Sequence, residues 1–162
     1  MTGEMRKSLD AFNAQVTRFL KEVPKEKIRA MQRGIALSAL GKLVEKTPAD
    51  YGRARGNWQV TIGVPTFTAL EVEDKAGSET ISKGSADILA ALGEFEVIFL
   101  QNNLPYIEVL ENGGFIPPDP GPSKDRRPDR KGKTLVVKGY STQAPNGMLK
   151  VTFQEIVDGL SG

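Results

Sequence analysis

The chain has 162 residues, of which 39% are apolar and 26% charged, which is enough to build one domain with its own core. It contains neither cysteine nor histidine, and this excludes disulfides, thiol chemistry, imidazole bases and Cys/His metal sites. The 22 basic and 20 acidic residues leave a net charge of only +2, less than a dedicated nucleic-acid binder usually carries.

Two further patterns concern the membrane and secretion. No run of the sequence reaches the roughly 18–20 apolar residues of a membrane span, and residues 1–10 lack the apolar segment of a signal peptide. We therefore expect a soluble protein made in the cytoplasm, without a membrane partner.

Two amphipathic helices are predicted at the N-terminal end. The first covers residues 7–22, with an apolar stripe at spacings of three and four: Leu9, Phe12, Val16, Phe19 and Val23. The second begins at Pro24 and ends near Lys46, because Pro48 disfavours helical backbone angles at Thr47. Both stripes predict packing, within the subunit or against a neighbour.

The middle of the chain predicts strands and short helices. A strand is expected at residues 57–64, a weaker one at 66–72 and a third, mostly apolar, at 95–100. Polar connections are expected at 49–56 and 74–84, and helices at 85–92 and 105–111. Residues 145–160 predict a helix, or a strand that turns into one, and the shared apolar face favours the helix. These elements predict one α+β domain over residues 1–162, with two N-terminal helices, an antiparallel sheet of three to five strands, a short helix and a C-terminal helix.

Residues 113–140 form a proline-rich basic arm. Prolines 117, 118, 120, 122 and 128 exclude an interior helix or a central strand, and the segment is longer than ordinary connections. Six basic residues outnumber Asp125 and Asp129 here: Lys124, Arg126, Arg127, Arg130, Lys131 and Lys133. Because no aromatic lies between Phe115 and Tyr140 to stack on bases, we favour protein over nucleic acid as the partner of these six interface candidates.

Catalytic signatures are absent from the sequence. There is no nucleophile elbow, no phosphate-binding Walker loop and no dinucleotide glycine fingerprint. The acidic residues Glu71, Glu73 and Asp74 lie in a polar stretch and are predicted to form a solvated face. We therefore predict no catalytic, cofactor or metal site, and do not expect an enzyme.

Three local sequences stand out by their order. The helix-exit motif covers residues 47–58 (TPADYGRARGNW), the Asn-Pro-Tyr motif 101–113 (QNNLPYIEVLENG) and the Gln-Ala-Pro motif 140–148 (YSTQAPNGM). Turn-forming residues shape the chain at these places and Trp58 is expected to pack against the sheet. The motif residues are Thr47, Pro48, Gly52, Trp58, Asn103, Pro105, Tyr106, Glu111, Gly113, Gln143, Pro145 and Gly147. Arg53 and Arg55 are predicted either to meet acidic or carbonyl groups at a subunit boundary or to be solvated loop charges.

In order and separation, these motifs resemble the neck proteins of long-tailed bacteriophages and prophages, that is, the head–tail joining and tail-completion proteins. The resemblance covers about residues 28–158. In that family the second motif runs almost directly into the third, whereas more than twenty residues separate Gly113 from Ser141 here. The arm is thus an insertion about which the resemblance says nothing.

The resemblance implies a non-enzymatic virion protein at the head–tail junction, made in the host cytoplasm. It implies a ring of identical copies, a hexamer first and a twelvefold ring second. The expected partners are the portal-side head-closure proteins and the tail terminator or tail tube, with non-specific contact to DNA in the channel as a further contact. Two alternatives stay open: a DNA-binding accessory protein using residues 124–133, and a metal-dependent hydrolase using Glu71 or Asp74.

Overall fold

The computed structural model describes residues 10–15, 17–18, 21, 25–91, 93, 96–114, 136–137, 140–141 and 143–161. These residues form an α+β fold. Its elements in chain order are α1 (Lys25–Lys46), α2 (Arg53–Gly56), β1 (Trp58–Ile62), α3 (Ser78–Ala90), β2 (Ile98–Asn102), α4 (Ile107–Asn112), β3 (Val136–Val137), β4 (Tyr140–Ser141) and α5 (Leu149–Ser161). Within the described ranges, no helix is both long and apolar enough to cross a bilayer.

Helix α1 contributes several residues to the core, and its predicted bounds are confirmed. Its buried side is apolar: Ala36, Ala39, Leu40, Leu43 and Val44. The N-terminal half is more exposed, with Met31 59% accessible. Residues 10–15 are also helical, as predicted, but Phe12 is 61% exposed, so it does not pack in the core. The other members of the first stripe lie outside the described residues.

The described residues contain two separate antiparallel strand pairs, and not the single sheet of three to five strands that the sequence predicted. Strand β1 pairs with β2 in a register that runs from Trp58 opposite Asn102 to Ile62 opposite Ile98, and β3 pairs with β4. The strands predicted at 57–64 and 95–100 are confirmed, although β2 begins at Ile98 and continues to Asn102.

Residues 66–72, predicted as a weak strand, are not one. Side-chain amides bind this segment where a strand would use a backbone ladder. The Asn57 amide donates to the Leu70 carbonyl at 3.0 Å and accepts from the Leu70 N–H at 2.6 Å. Gln101 makes the same double contact with Thr66, at 2.6 and 3.0 Å. The segment therefore crosses the outer face of the sheet, where these amides project.

Helix α3 begins well before the predicted residue 85, within the stretch interpreted as a polar connection. Asp74 is the cause, since its carboxylate accepts the Gly77 N–H at 2.7 Å and the Thr80 N–H and hydroxyl at 2.8 Å each. Such bonds satisfy donors that a helix N-terminus leaves free. Asp74 is only 6% exposed, so its prediction as part of a solvated face was wrong.

The core lies where α1, α3, β1 and the start of α5 meet. Gly84 lets α3 pack closely against α1 and β1, because a Cβ there would lie 2.6 Å from Leu40 Cδ2 and 2.9 Å from Val60 Cγ2. The buried cluster comprises Ala36, Leu40, Leu43, Val44, Trp58, Ile88, Ala144 and Met148.

Candidate functional site

The three sequence motifs come together in space, and we call their meeting place the motif junction. Its buried centre is the pair Thr47 and Trp58. The indole N–H of Trp58 donates to the Thr47 hydroxyl oxygen at 2.7 Å, and that hydroxyl donates to the Leu43 carbonyl at 2.6 Å. These two bonds fix the end of α1 to the start of β1. Both side chains are shielded from water, since Trp58 is 6% exposed and Thr47 is fully buried.

Arg55 bonds to backbone carbonyls of its own chain. Its Nε donates to the Thr47 carbonyl at 2.9 Å, and its two terminal nitrogens donate to Lys75 at 2.9 Å and Glu45 at 3.1 Å. These bonds lie inside the subunit and do not test the predicted contact at a subunit boundary. Two of them satisfy carbonyls left free at the end of α1, those of Glu45 and Thr47.

Arg53 instead forms an exposed ion pair. One of its terminal nitrogens lies 2.8 Å from Glu71 Oε1, and both side chains are largely in solvent, so the pair contributes little to stability. A role for Arg53 or Arg55 at a subunit boundary stays a prediction.

Gly52 brings the helix-exit motif against the segment that precedes α3. Its φ of 93° is left-handed, and a Cβ there would lie 2.3 Å from the Lys75 nitrogen. Its carbonyl accepts the Gly56 N–H at 2.8 Å and the Asp74 N–H at 3.2 Å. Only glycine fits both requirements, and the predicted loop at 49–56 contains the short helix α2.

The Asn-Pro-Tyr motif contacts the helix-exit motif through the end of β2. Asn102 donates to the Ala54 carbonyl at 2.8 Å, and Asn103 donates to the Thr66 and Thr68 carbonyls at 3.2 Å each. Pro105 is exposed in the turn before α4. Tyr106 is the residue before that helix, and partial burial raises its pKa although the Arg53 charge opposes the shift.

The Gln-Ala-Pro motif contacts the helix-exit motif from the other side. Gln143 Oε1 accepts the Ala49 N–H at 2.8 Å, next to the half-buried Pro48. Pro145 is exposed and forms an isolated bridge with Gly147. The predicted turn before the last helix is present, but it extends through residue 148, so α5 begins at Leu149 and not at the predicted residue 145.

Glu111 joins the second motif to the third. Its carboxylate accepts the N–H groups of Met148, Leu149 and Lys150 at 2.7, 2.8 and 2.9 Å, which are free donors at the start of α5. Gly147 permits the approach, because a Cβ there would lie 2.5 Å from the Glu111 carbonyl oxygen. Sequence reasoning selected Glu111 by resemblance only, without this role.

Replacing Glu111 with alanine should lower the free energy of unfolding by about 2 kcal/mol, through the loss of an N-terminal cap and of charge-assisted hydrogen bonds. Urea unfolding followed by circular dichroism measures the change. Glu108 is the matched control, since it lies one turn earlier on α4 and is exposed. An equal effect of Glu108→Ala would show that the cap is not the cause.

A second link between α1 and α5 was missed by sequence reasoning. Lys42 and Lys46, one helical turn apart, hold Glu155 with Nζ–oxygen distances of 2.6 and 3.0 Å. Their hydrogen bonds and charges lower the pKa of Glu155. The lysine spacing at i and i+4 was the available signal, but nothing local identifies the acid 109 residues further on.

The two ends of the arm lie side by side. A Cβ on Gly113 would lie 2.9 Å from the Tyr140 ring, so the chain leaves and re-enters the domain at one place. The basic candidates Lys124, Arg126, Arg127, Arg130, Lys131 and Lys133 lie outside the described residues, and their contacts stay predictions.

The carboxylates of the hydrolase alternative are separated in role. Glu71 pairs with Arg53, whereas Asp74 caps α3. Burial raises the pKa of Asp74, but the bonds from Thr80 and Gly77 outweigh it and hold the pKa below its ordinary value of 3.8. In the described part of the chain, no three acidic side chains converge as a metal site would need. In the motif junction, the polar groups hydrogen-bond to one another, so the junction is suited to holding helices and strands in fixed positions.

No known protein family, curated protein or solved structure matches the chain at a significant level.

Proposed function

We propose that this chain is a structural protein of the virion that acts at the head–tail junction of a long-tailed phage. It assembles as a ring, preferably of six copies and alternatively of twelve. The ring connects portal-side head-closure proteins with the tail terminator or tail tube. The proposal rests on the order of the three motifs and on an apolar surface of α5.

The main support for this proposal is an apolar stripe on α5 that faces away from the core. Its members follow one another at helical spacing and are exposed: Leu149 (53%), Phe153 (67%), Val157 (38%) and Leu160 (60%). The opposite side of the helix faces α1, through the buried Thr152 and the Glu155 ion pairs. Clustered apolar side chains on a surface usually belong to an interface, and assembly is the function that such a surface supports.

The junction explains how the stripe is presented. Glu111 and Gly147 fix the first turn of α5, and Lys42 and Lys46 fix its middle. A rigid helix loses little conformational entropy on docking, which favours binding. The motif residues therefore support the interface from beneath without having to touch a partner.

The test is deletion of the gene from the phage or prophage that encodes the chain. We expect filled heads and complete tails that stay separate in electron micrographs, and restoration of joined particles by the wild-type gene supplied in trans. Joined, infectious particles formed without the chain would overturn the proposal.

A matched pair of variants tests the stripe in the same assay. Phe153→Ser should reduce the yield of joined particles at least about tenfold, the effect of losing roughly 1.4 kcal/mol of binding free energy at an apolar contact. Gln154→Ser, at the neighbouring exposed position, should leave the yield within about twofold. Equal yields from the two variants would exclude the stripe as the interface.

A further inference from the structure

A groove of about 980 Å³ follows one side of strand β1, and we call it the β1 groove. Helix α3 forms one wall, and residues 66–72 form the other. All five residues of β1 line it, together with Leu70, Val72, Gly84 and Asp87 among others. The groove is thus as long as the strand and open along it, which is the shape that an extended chain fits.

The backbone of β1 presents free hydrogen-bonding groups to this groove. Gly63 donates to the Val97 carbonyl at 2.8 Å, and in the same register Gln59 and Thr61 lie opposite Gln101 and Phe99. Hydrogen-bonded pairs alternate along an antiparallel ladder, so the odd-numbered residues of β1 bond to β2. The N–H and C=O groups of Trp58, Val60 and Ile62 point the other way, where no described residue binds them.

The charges around the groove select a basic occupant. Among the described residues that line it, Glu79, Asp87 and Glu96 are acidic and Lys83 is basic, so these residues carry three negative charges and one positive. The sequence of the chain itself contains a fitting segment. Residues 130–137 read RKGKTLVV, with three positive charges followed by a mostly β-branched run that ends in strand β3.

We propose that the β1 groove binds residues 130–137 of a second copy of this chain, with β3 of that copy added to the free edge of β1. This inference rests on the self-assembly part of the proposed function and specifies the contact. Backbone bonds to Val60 and Ile62 supply affinity, and pairing of the basic residues with Glu79 and Asp87 sets the direction of the added strand.

The occupant comes from another copy because the chain's own β3 is placed elsewhere. Strand β3 pairs with β4, and Tyr140 of β4 packs against Gly113 at the end of α4. The described residues that line the groove, by contrast, all lie between 56 and 96. Giving a strand with one surface and receiving one with another is a head-to-tail contact, and such contacts form closed rings when the rotation closes.

The contact would also complete the sheet. Strands β2 and β1 of one copy, followed by β3 and β4 of the next, make four strands, within the three to five predicted from the sequence. Two-stranded sheets are marginal on their own, and the addition covers an open edge that otherwise invites aggregation.

Cross-linking between full-length chains tests the contact, and the absence of native cysteine makes introduced ones unique. A chain with Lys83→Cys and a tagged chain with Lys133→Cys are mixed and treated with a short bis-maleimide. We expect a product of one untagged and one tagged chain at least about fivefold above that from Lys83→Cys mixed with Lys150→Cys, whose residue 150 is exposed on α5. A yield no higher than this control overturns the inference.

A second pair of variants tests the edge itself. Ile62→Pro removes an outward N–H without removing a bond to β2, whereas Ile62→Ala removes more of the side chain but keeps the N–H. Self-association measured by light scattering should weaken at least about tenfold for proline and less than about threefold for alanine. Circular dichroism verifies that both variants fold, and equal association by the two folded variants contradicts the edge pairing.

The outcomes separate this inference from the proposed function. Heads and tails that fail to join without the chain, combined with no specific cross-link, leave the phage role standing and remove the β1 groove contact. A specific cross-link, combined with joined particles in the gene deletion, leaves the β1 groove contact standing and removes the phage role. A wild-type chain that stays monomeric and uncross-linked overturns the contact outright.

Discussion

Replacing Gly52 with alanine should destabilise the domain by about 3 kcal/mol or more, from a left-handed backbone and from overpacking. The φ of 93° disfavours any side chain, and the new Cβ would lie 2.3 Å from the Lys75 nitrogen and 2.6 Å from the Asp74 carbonyl carbon. Backbone atoms cannot rotate away as a side chain does. The strain falls on the segment that places Asp74 at the start of α3.

Gly63 is the matched control for this effect. Its φ of 76° is also left-handed, but nothing lies within 4 Å of a Cβ built there. Gly63→Ala should therefore cost only about 1 kcal/mol, the price of the conformation alone. Urea unfolding followed by the fluorescence of the single tryptophan measures both variants, and equal losses would show that crowding at Gly52 is relieved by movement.

Much of the fold could be predicted from local sequence patterns. The apolar spacing identified α1, which buries one regular face, and the aromatic and β-branched residues identified β1. The start of α3 was missed because its first turn, Ser78 to Thr80, is polar and depends on Asp74, a residue that looks like surface in the sequence. The sequence alone does not distinguish an acidic residue that caps a helix from one that is solvated.

The contacts of the motif junction are harder to predict because they join distant parts of the chain. Glu111 meets the α5 amides 37 residues away, across the arm. Asn57 and Gln101 bind residues 66–72 through side chains, and no periodicity signals a segment held in this manner. The three sequence motifs contain the residues that meet at the junction, whereas the bonds between them are visible only in the structure.

Trp58 should show the largest effect of any side-chain truncation in the motif junction. Trp58→Ala is expected to lower the free energy of unfolding by about 3–5 kcal/mol, since it opens a cavity beside α1. Tyr51→Ala is the control, because Tyr51 belongs to the same motif and is 68% exposed, and it should change stability by less than about 0.5 kcal/mol. Urea unfolding followed by circular dichroism serves for both, as one variant lacks the indole.

A double-mutant cycle separates the hydrogen bond of Trp58 from its packing. Thr47→Val keeps the shape but leaves the indole N–H buried without an acceptor, at a cost of about 1–3 kcal/mol. In the Trp58→Phe background that donor is gone, so Thr47→Val should cost about 1 kcal/mol less than in the wild type. If the two costs are equal, the 2.7 Å contact contributes nothing beyond packing. In that case Trp58 would fix the end of α1 by its volume alone, and a large apolar residue without a donor would serve there equally well.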